Sequence, residues 1–207
     1  MGHDRIKNNL IKIKKKIPSH CCLIAVSKYV TDEEIKIAYD HGQRDFGENR
    51  VPELIDKATK LKELCPDIRW HMIGNIQSNK LKDLLTVPNL YAIHSVFKKK
   101  HLKILNSHCC SSVNIFFQVN SSKEDQKGGV DSVTEVQELI SLVENRYLKF
   151  IGLMGMGSLS GSKEELRESF RELKNMADSL SLSVDSNEEL KTSMGMSADF
   201  ELAISEG

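Results

Sequence analysis

Seven times along this chain a short apolar stretch is followed by a helical pattern, and that alternation constrains the fold more than any single motif. Ile6, Leu10, Ile13 and Ile17 first mark an opening amphipathic helix closed by Pro18, with its lysines largely off the apolar stripe. Residues 21–28 (Cys-Cys-Leu-Ile-Ala-Val-Ser-Lys) then form a strand-length run. Behind it Thr31-Asp32-Glu33-Glu34 spells a capping box, from which Ile35, Ala38 and Tyr39 continue a helix to a stop at Gly42. The pattern predicts further strands at 44–49, 68–74, 90–96, 113–119, 150–157 and 190–196. Between them lie helices carrying Leu54, Ala58 and Leu61, then Leu81 and Leu84, then a lysine-rich helix at 97–105. Ser132 with Glu135, and Ser162 with Glu165, predict the starts of two more, and a short helix closes the chain.

Repeated βα units imply a parallel sheet buried by helices, either doubly wound or a (β/α)8 barrel of the TIM type. The short, regular units favour the barrel. No Gly/Ser/Pro-rich linker divides the 207 residues, so one domain over 1–207 is expected.

Lys+Arg and Asp+Glu each total 29, so the electrostatic footprint of a nucleic-acid binder is missing. Nowhere do about eighteen apolar residues follow one another, which predicts no membrane span, and no signal peptide is read at the start. The expected compartment is the cytoplasm. Five cysteines in an odd count, with no Cys-x-x-Cys, predict reduced thiols. His108-Cys109-Cys110 is read as a loop or helix end, since adjacent residues rarely converge on one metal ion.

A barrel presents its functional side chains at the C-terminal ends of its strands, where Lys28, Asn49, His71, Asn120, Met154 and Ser193 fall. Lys28 has two readings. In a partly dry barrel mouth its amine becomes a nucleophile; otherwise it snorkels to water from the strand end. Ser193-Met194-Gly195-Met196-Ser197 places two hydroxyls and a glycine between a strand and a helix. Such a turn offers donors to a phosphate, the helix dipole adding to the attraction, or is a plain N-cap at Ser197; Asp199 and Glu201 oppose an anion unless they point away. His71 is read either as a buried imidazole satisfied by a backbone carbonyl or as an acid or base. The charged stretch Lys123 to Gly129 is a rim loop or supplies a second phosphate-attracting lysine.

Taken together and in order, Ala25-Val26-Ser27-Lys28, Phe46-Gly47-Glu48-Asn49, Trp70-His71-Met72-Ile73-Gly74-x-Ile76-Gln77-x-Asn79-Lys80, Ile93-His94-Ser95-Val96, Gln118-Val119-Asn120, Gly152-Leu153-Met154 and Ser193-Met194-Gly195-Met196-Ser197-x-Asp199 closely resemble the motifs of the pyridoxal phosphate homeostasis protein family. The resemblance implies a single barrel like the N-terminal domain of alanine racemase, with pyridoxal 5′-phosphate held as a Schiff base on Lys28. It implies that Ser193, Gly195 and Ser197 lie near the phosphate and that Asn49, His71 and Met154 line the pocket. It also implies a carrier or regulator of the vitamin B6 pool, with PLP-dependent acceptor enzymes as partners, more than a catalyst.

Two departures from the family pattern are expected to matter. The family continues into an Arg-Ile-Gly segment that supplies the eighth strand and a partner for the pyridine nitrogen, and the sequence stops at Gly207 before it. Thr192 stands where the family usually has leucine. The alternative function is a PLP-dependent amino-acid racemase, for which no catalytic acid and base pair can be assigned.

Overall fold

A computed structural model describes residues 2–121, 128–157, 162–182 and 189–207. The charged stretch at 123–127 lies outside the described residues. The chain divides into two compact units, Met1–Ala92 and Ile93–Gly207.

The first unit contains α1 (Gly2–Lys14), β1 (Ala25–Val26), α2 (Asp32–Asp40), β2 (Asp45–Glu48), α3 (Val51–Leu61), β3 (Arg69–Met72), a 3-10 turn (Ser78–Lys80), α4 (Leu81–Leu84) and the start of β4 (Leu90–Val96). The strands are taken in chain order, β1 beside β2 and β2 beside β3, both pairs parallel. Phe46 pairs with Trp70, whose ring lies 6.0 Å away, and Glu48 pairs with Met72. Trp70, Met72, Leu54, Ala58, Leu61, Leu81 and Leu84 are fully buried. Each large apolar side chain removed from water in this way contributes about 1.5–3 kcal/mol.

Two boundaries differ from the sequence-based expectation. The opening helix ends at Lys14, ahead of Ile17 and Pro18. The first strand is two residues long in place of eight. Its early part does not join the ladder: the Cys21 N–H donates to Pro18 O at 3.0 Å, and the Leu23 carbonyl accepts from the Gln43 side chain at 2.7 Å. A side-chain amide thus takes a carbonyl that a neighbouring strand would otherwise use.

The second unit holds the rest of β4, α5 (Lys99–His108), β5 (Val113–Val119), α6 (Val133–Ser141), β6 (Leu148–Gly155), α7 (Lys163–Ser181), β7 (Lys191–Ser193) and α8 (Phe200–Glu206). Its strands again follow chain order, with β5–β6 and β6–β7 parallel. A bulge between Ile115 and Phe116 shifts the β5–β6 register by one residue. Beyond it Phe116 pairs with Gly152 and Gln118 with Met154. The sixth strand starts at Leu148, two residues before the expected position, and the seventh stops at Ser193, short of Met196. Two residues later Gly195 turns to φ +83, outside strand geometry. His108 ends α5 and Cys109 leaves it in extended conformation, as a helix end.

A doubly wound sheet reverses its strand order at a switch point, whereas the strands here run in sequence order through each unit. The fold is therefore the TIM-like (β/α) class, with seven parallel-sheet strands among the described residues.

The longest helix, α7, begins with a complete capping box: Ser162 accepts from the Glu165 N–H at 3.2 Å, and Glu165 accepts from the Ser162 N–H at 2.6 Å. We expect Ser162→Ala to lower stability by about 1 kcal/mol, read as a downward shift in the urea midpoint at unchanged slope. An unchanged midpoint would mean that burial of Phe170, Leu173, Ala177 and Leu180 holds the helix without the cap.

Candidate functional site

Extending the β1–β2 register (Ala25 to Phe46, Val26 to Gly47) by two residues sets Lys28 level with Asn49. Both stand just beyond the C-terminal ends of their strands, as the sequence predicts. Lys28 is exposed, on a turn from Ser27 to Val30 closed by the Val30 N–H donating to Ser27 O at 3.0 Å. This differs from the expected dry barrel mouth, because only two residues of β1 are paired and Lys28 lies past them. The next residue, Tyr29, has φ +65 and is 95% exposed, a left-handed conformation uncommon for a residue with a side chain.

The first residue of that turn is held tightly. The Ser27 N–H donates to Gly47 O (2.9 Å), its hydroxyl to Glu48 Oε1 (2.7 Å), and its carbonyl accepts from Lys57 Nζ (2.7 Å). Lys57, on α3, also meets Glu48 Oε1 at 2.7 Å, and the Glu48 side chain is only 1% exposed. Neither Glu48 nor Lys57 is marked as a site residue by the motifs. A signal was present: Leu54, Lys57 and Leu61 share the i, i+3, i+7 stripe of α3, so a lysine sits on the helix face that meets the core.

Asn49 is half-buried, and the chain after β3 passes directly against it. A Cβ on Gly74 would lie 2.1 Å from the Asn49 carbonyl oxygen, so only glycine allows this approach.

His71 lies two register positions below the Lys28 and Asn49 level, inside β3, and is buried. Its Nε2 donates to Asp45 Oδ1 at 3.0 Å, and Arg69 bonds the other carboxylate oxygen. The partner of Nε2 is thus a carboxylate. An ionised carboxylate only accepts, which fixes the proton on Nε2. Burial pushes the Asp45 carboxyl up, but the His71 and Arg69 hydrogen bonds outweigh it and hold the group below its ordinary value. The Tyr91 ring packs 5.3 Å from the imidazole.

In the second unit Met154 and Ser193 pair across β6 and β7. Met154 is buried and Ser193 half-buried. A Cβ on Gly152, two residues before Met154, would stand 1.9 Å from Lys191 O, so glycine permits the β6–β7 pairing that sets Ser193 beside Met154. Ser193 Oγ shares a hydrogen bond of 2.8 Å with Nδ1 of buried His94, which stacks on Phe116 at 4.3 Å. In the sequence His94 stands within Ile93-His94-Ser95-Val96, where nothing marks it as a partner of Ser193.

Gly195 at φ +83 packs against α8, where a Cβ would meet Ala203 Cβ at 2.9 Å and Phe200 Cα at 3.0 Å. Among the described residues, the N–H groups of Gly195 and Ser197 have no backbone acceptor. Ser197 is exposed, so its hydroxyl faces solvent. Asp199, in contrast, takes the Met196 N–H with its carboxylate. Ser197 is also not the N-cap of α8; Asp199 precedes the helix directly. The turn therefore offers two hydroxyls and two backbone N–H groups as donors, a set suited to a phosphate, and no cation. Asn120 uses its own N–H on Val130 O at 3.0 Å.

No described helix is long and apolar enough to cross a membrane. Residues 2–206 match the family described as alanine racemase, N-terminal domain. The pyridoxal phosphate homeostasis protein of Caenorhabditis elegans is 38% identical over 200 residues, which covers 90% of this chain and 80% of that protein. That of Schizosaccharomyces pombe is 39% identical over 191 residues, covering 89% and 78%. PipY of Synechococcus elongatus, solved with PLP bound, is 32% identical at a TM-score of 0.84, covering 98% of this chain and 94% of PipY. Alanine racemase of Clostridium difficile aligns at a TM-score of 0.76 with 15% identity, a likeness of fold alone.

Proposed function

Because the chain belongs to the pyridoxal phosphate homeostasis proteins, within the alanine racemase N-terminal domain family, we propose that it binds pyridoxal 5′-phosphate through the Lys28 amine and serves the cell's pool of that cofactor. The observation that carries this reading is the exposed Lys28 amine, level with Asn49 at the strand ends. When bound, the cofactor supplies an aldehyde that condenses with a primary amine, releasing water, and is freed again by water or another amine. Lys28 provides that amine on a turn open to solvent, which suits exchange with an incoming acceptor.

In this reading the hydroxyls of Ser193 and Ser197 and the N–H groups of Gly195 and Ser197 bind the phosphate. The resemblance further assigns Asn49, Met154 and the Asp45-held His71 to the surroundings of the ring. His94 orients the Ser193 hydroxyl: an Nδ1–H donated to Ser193 Oγ leaves the serine proton for an anion. The reading treats residues 1–207 as one cytoplasmic domain acting as a carrier, with PLP-dependent enzymes as acceptors. It also takes the protein as a non-enzyme: racemisation needs an acid and a base on opposite faces of the cofactor, and the motifs assign no such pair.

The test is incubation with pyridoxal 5′-phosphate, borohydride reduction and peptide mass spectrometry. We expect one reduced adduct, on Lys28, and complete loss of it in Lys28→Ala at unchanged thermal stability. Labelling elsewhere, or none, overturns the reading. Racemisation of alanine that disappears in Lys28→Ala would replace the carrier with an enzyme.

A further inference from the structure

We infer that Ser27, Glu48 and Lys57 are positioning residues that set the Lys28 amine for capture of the cofactor aldehyde, an inference that rests on the assignment of Lys28 above. Strand pairing alone is a poor anchor for Lys28, since β1 contributes only Ala25 and Val26 to the ladder. The turn carrying Lys28 also includes a left-handed Tyr29, a conformation that persists only where its surroundings enforce it. Tyr29 itself is exposed and makes no such enclosure. The enforcement comes from Ser27 at one end of the turn.

All three polar groups of Ser27 are engaged. Its N–H is on Gly47 O, its hydroxyl on Glu48, and its carbonyl accepts both the Lys57 ammonium and the Val30 N–H that closes the turn. Glu48 joins the two side chains by taking Ser27 Oγ and Lys57 Nζ on the same oxygen. The cluster is nearly dry, with the Lys57 side chain 13% exposed, so these charge-assisted bonds are stronger than they would be in water. Lys57 also lies on α3, so a helix, a strand and the turn are fixed to one another around the residue that precedes Lys28. An amine on a tethered turn reaches an aldehyde in fewer orientations than one on a loose loop, and that restriction raises the rate of capture.

The test uses the full chain with Ser27→Ala, which leaves the Glu48–Lys57 pair intact, and Ser27→Thr, which keeps the hydroxyl. Capture is followed as the rate of borohydride-fixed label on Lys28 with pyridoxal 5′-phosphate. Affinity for pyridoxine 5′-phosphate, which has the phosphate and ring but no aldehyde, reports the rest of the pocket. Amide hydrogen exchange at Val30 without ligand reports the turn.

We expect Ser27→Ala to slow capture about tenfold and to speed exchange at Val30, with pyridoxine 5′-phosphate affinity held within about twofold. Ser27→Thr should restore both. Equal capture rates in wild type and Ser27→Ala overturn the inference while leaving the function intact. A parallel loss of capture and of pyridoxine 5′-phosphate affinity overturns it too, because that marks general damage. Wild-type protein with no label on Lys28 overturns the functional reading and the inference with it.

Discussion

Exchange of Lys57 for methionine will lower the stability of the folded protein by about 3–5 kcal/mol, because it strands a carboxylate in a nearly dry site. Glu48 is 1% exposed and holds the Lys57 ammonium at 2.7 Å. Without that ammonium, the Ser27 hydroxyl is the remaining partner on the same oxygen, one neutral donor for a buried charge. Methionine matches the lysine stem in length, so packing on the α3 stripe changes little and the loss reports the charge. Adding Glu48→Leu to Lys57→Met should recover most of the loss, since replacing both members of a buried pair with apolar groups is often near neutral. Urea unfolding of the two single variants and the double variant gives the coupling directly. A loss below about 1 kcal/mol in Lys57→Met would mean that water reaches Glu48 as it does at a surface pair.

The same cluster shows which part of the molecule can be read from sequence. Capping boxes at Thr31 and Ser162 are legible because donor and acceptor lie three residues apart, so composition and spacing carry the whole interaction. The strands at Leu90–Val96 and Val113–Val119 are legible to the residue, because long β-prone runs bounded by polar residues admit one reading. The first strand is not. Residues 21–24 have strand composition, yet the fate of the Leu23 carbonyl is decided by Gln43, twenty residues away.

For the candidate site, Lys28, Asn49, Met154 and Ser193 can be placed at strand ends from the βα period alone. Their supports cannot. Asp45 under His71, Lys57 under Ser27 and His94 under Ser193 are contacts between different elements, at sequence separations of 26, 30 and 99. Burial, which comes with the structure, shows the anomaly that calls for such a partner. Asp45 and Glu48 lie in a four-residue strand whose every residue is buried, and a buried carboxylate must be paired.

Acidification will destabilise the protein through His101, with a loss on the order of 2 kcal/mol between pH 7 and pH 5. His101 is fully buried on α5, its ring edge-on to Phe97 at 6.0 Å, and neither ring nitrogen has a hydrogen-bond partner among the described residues. Burial first, and then the nearby charges of Lys98 and Lys100, push its pKa down from 6.5 to about 4. The folded protein therefore keeps this imidazole neutral through a range in which the unfolded chain has already taken up the proton. Stability rises with pH wherever the unfolded state holds more protons, so the contribution falls away as pH drops through 6.5 and levels off below about 4. The full loss across that window is about 3 kcal/mol. Asp45 works in the same direction but lower, since its depressed carboxyl keeps its contribution until pH falls below the ordinary carboxylate range. The two are separated by His101→Leu, which removes the proton site and fills the same apolar position. Urea midpoints at pH 7 and pH 5 should then converge in the variant while remaining apart in the wild type. If His101→Leu retains the full difference between pH 7 and pH 5, another histidine carries the effect, and water or a buried acceptor must satisfy the His101 ring.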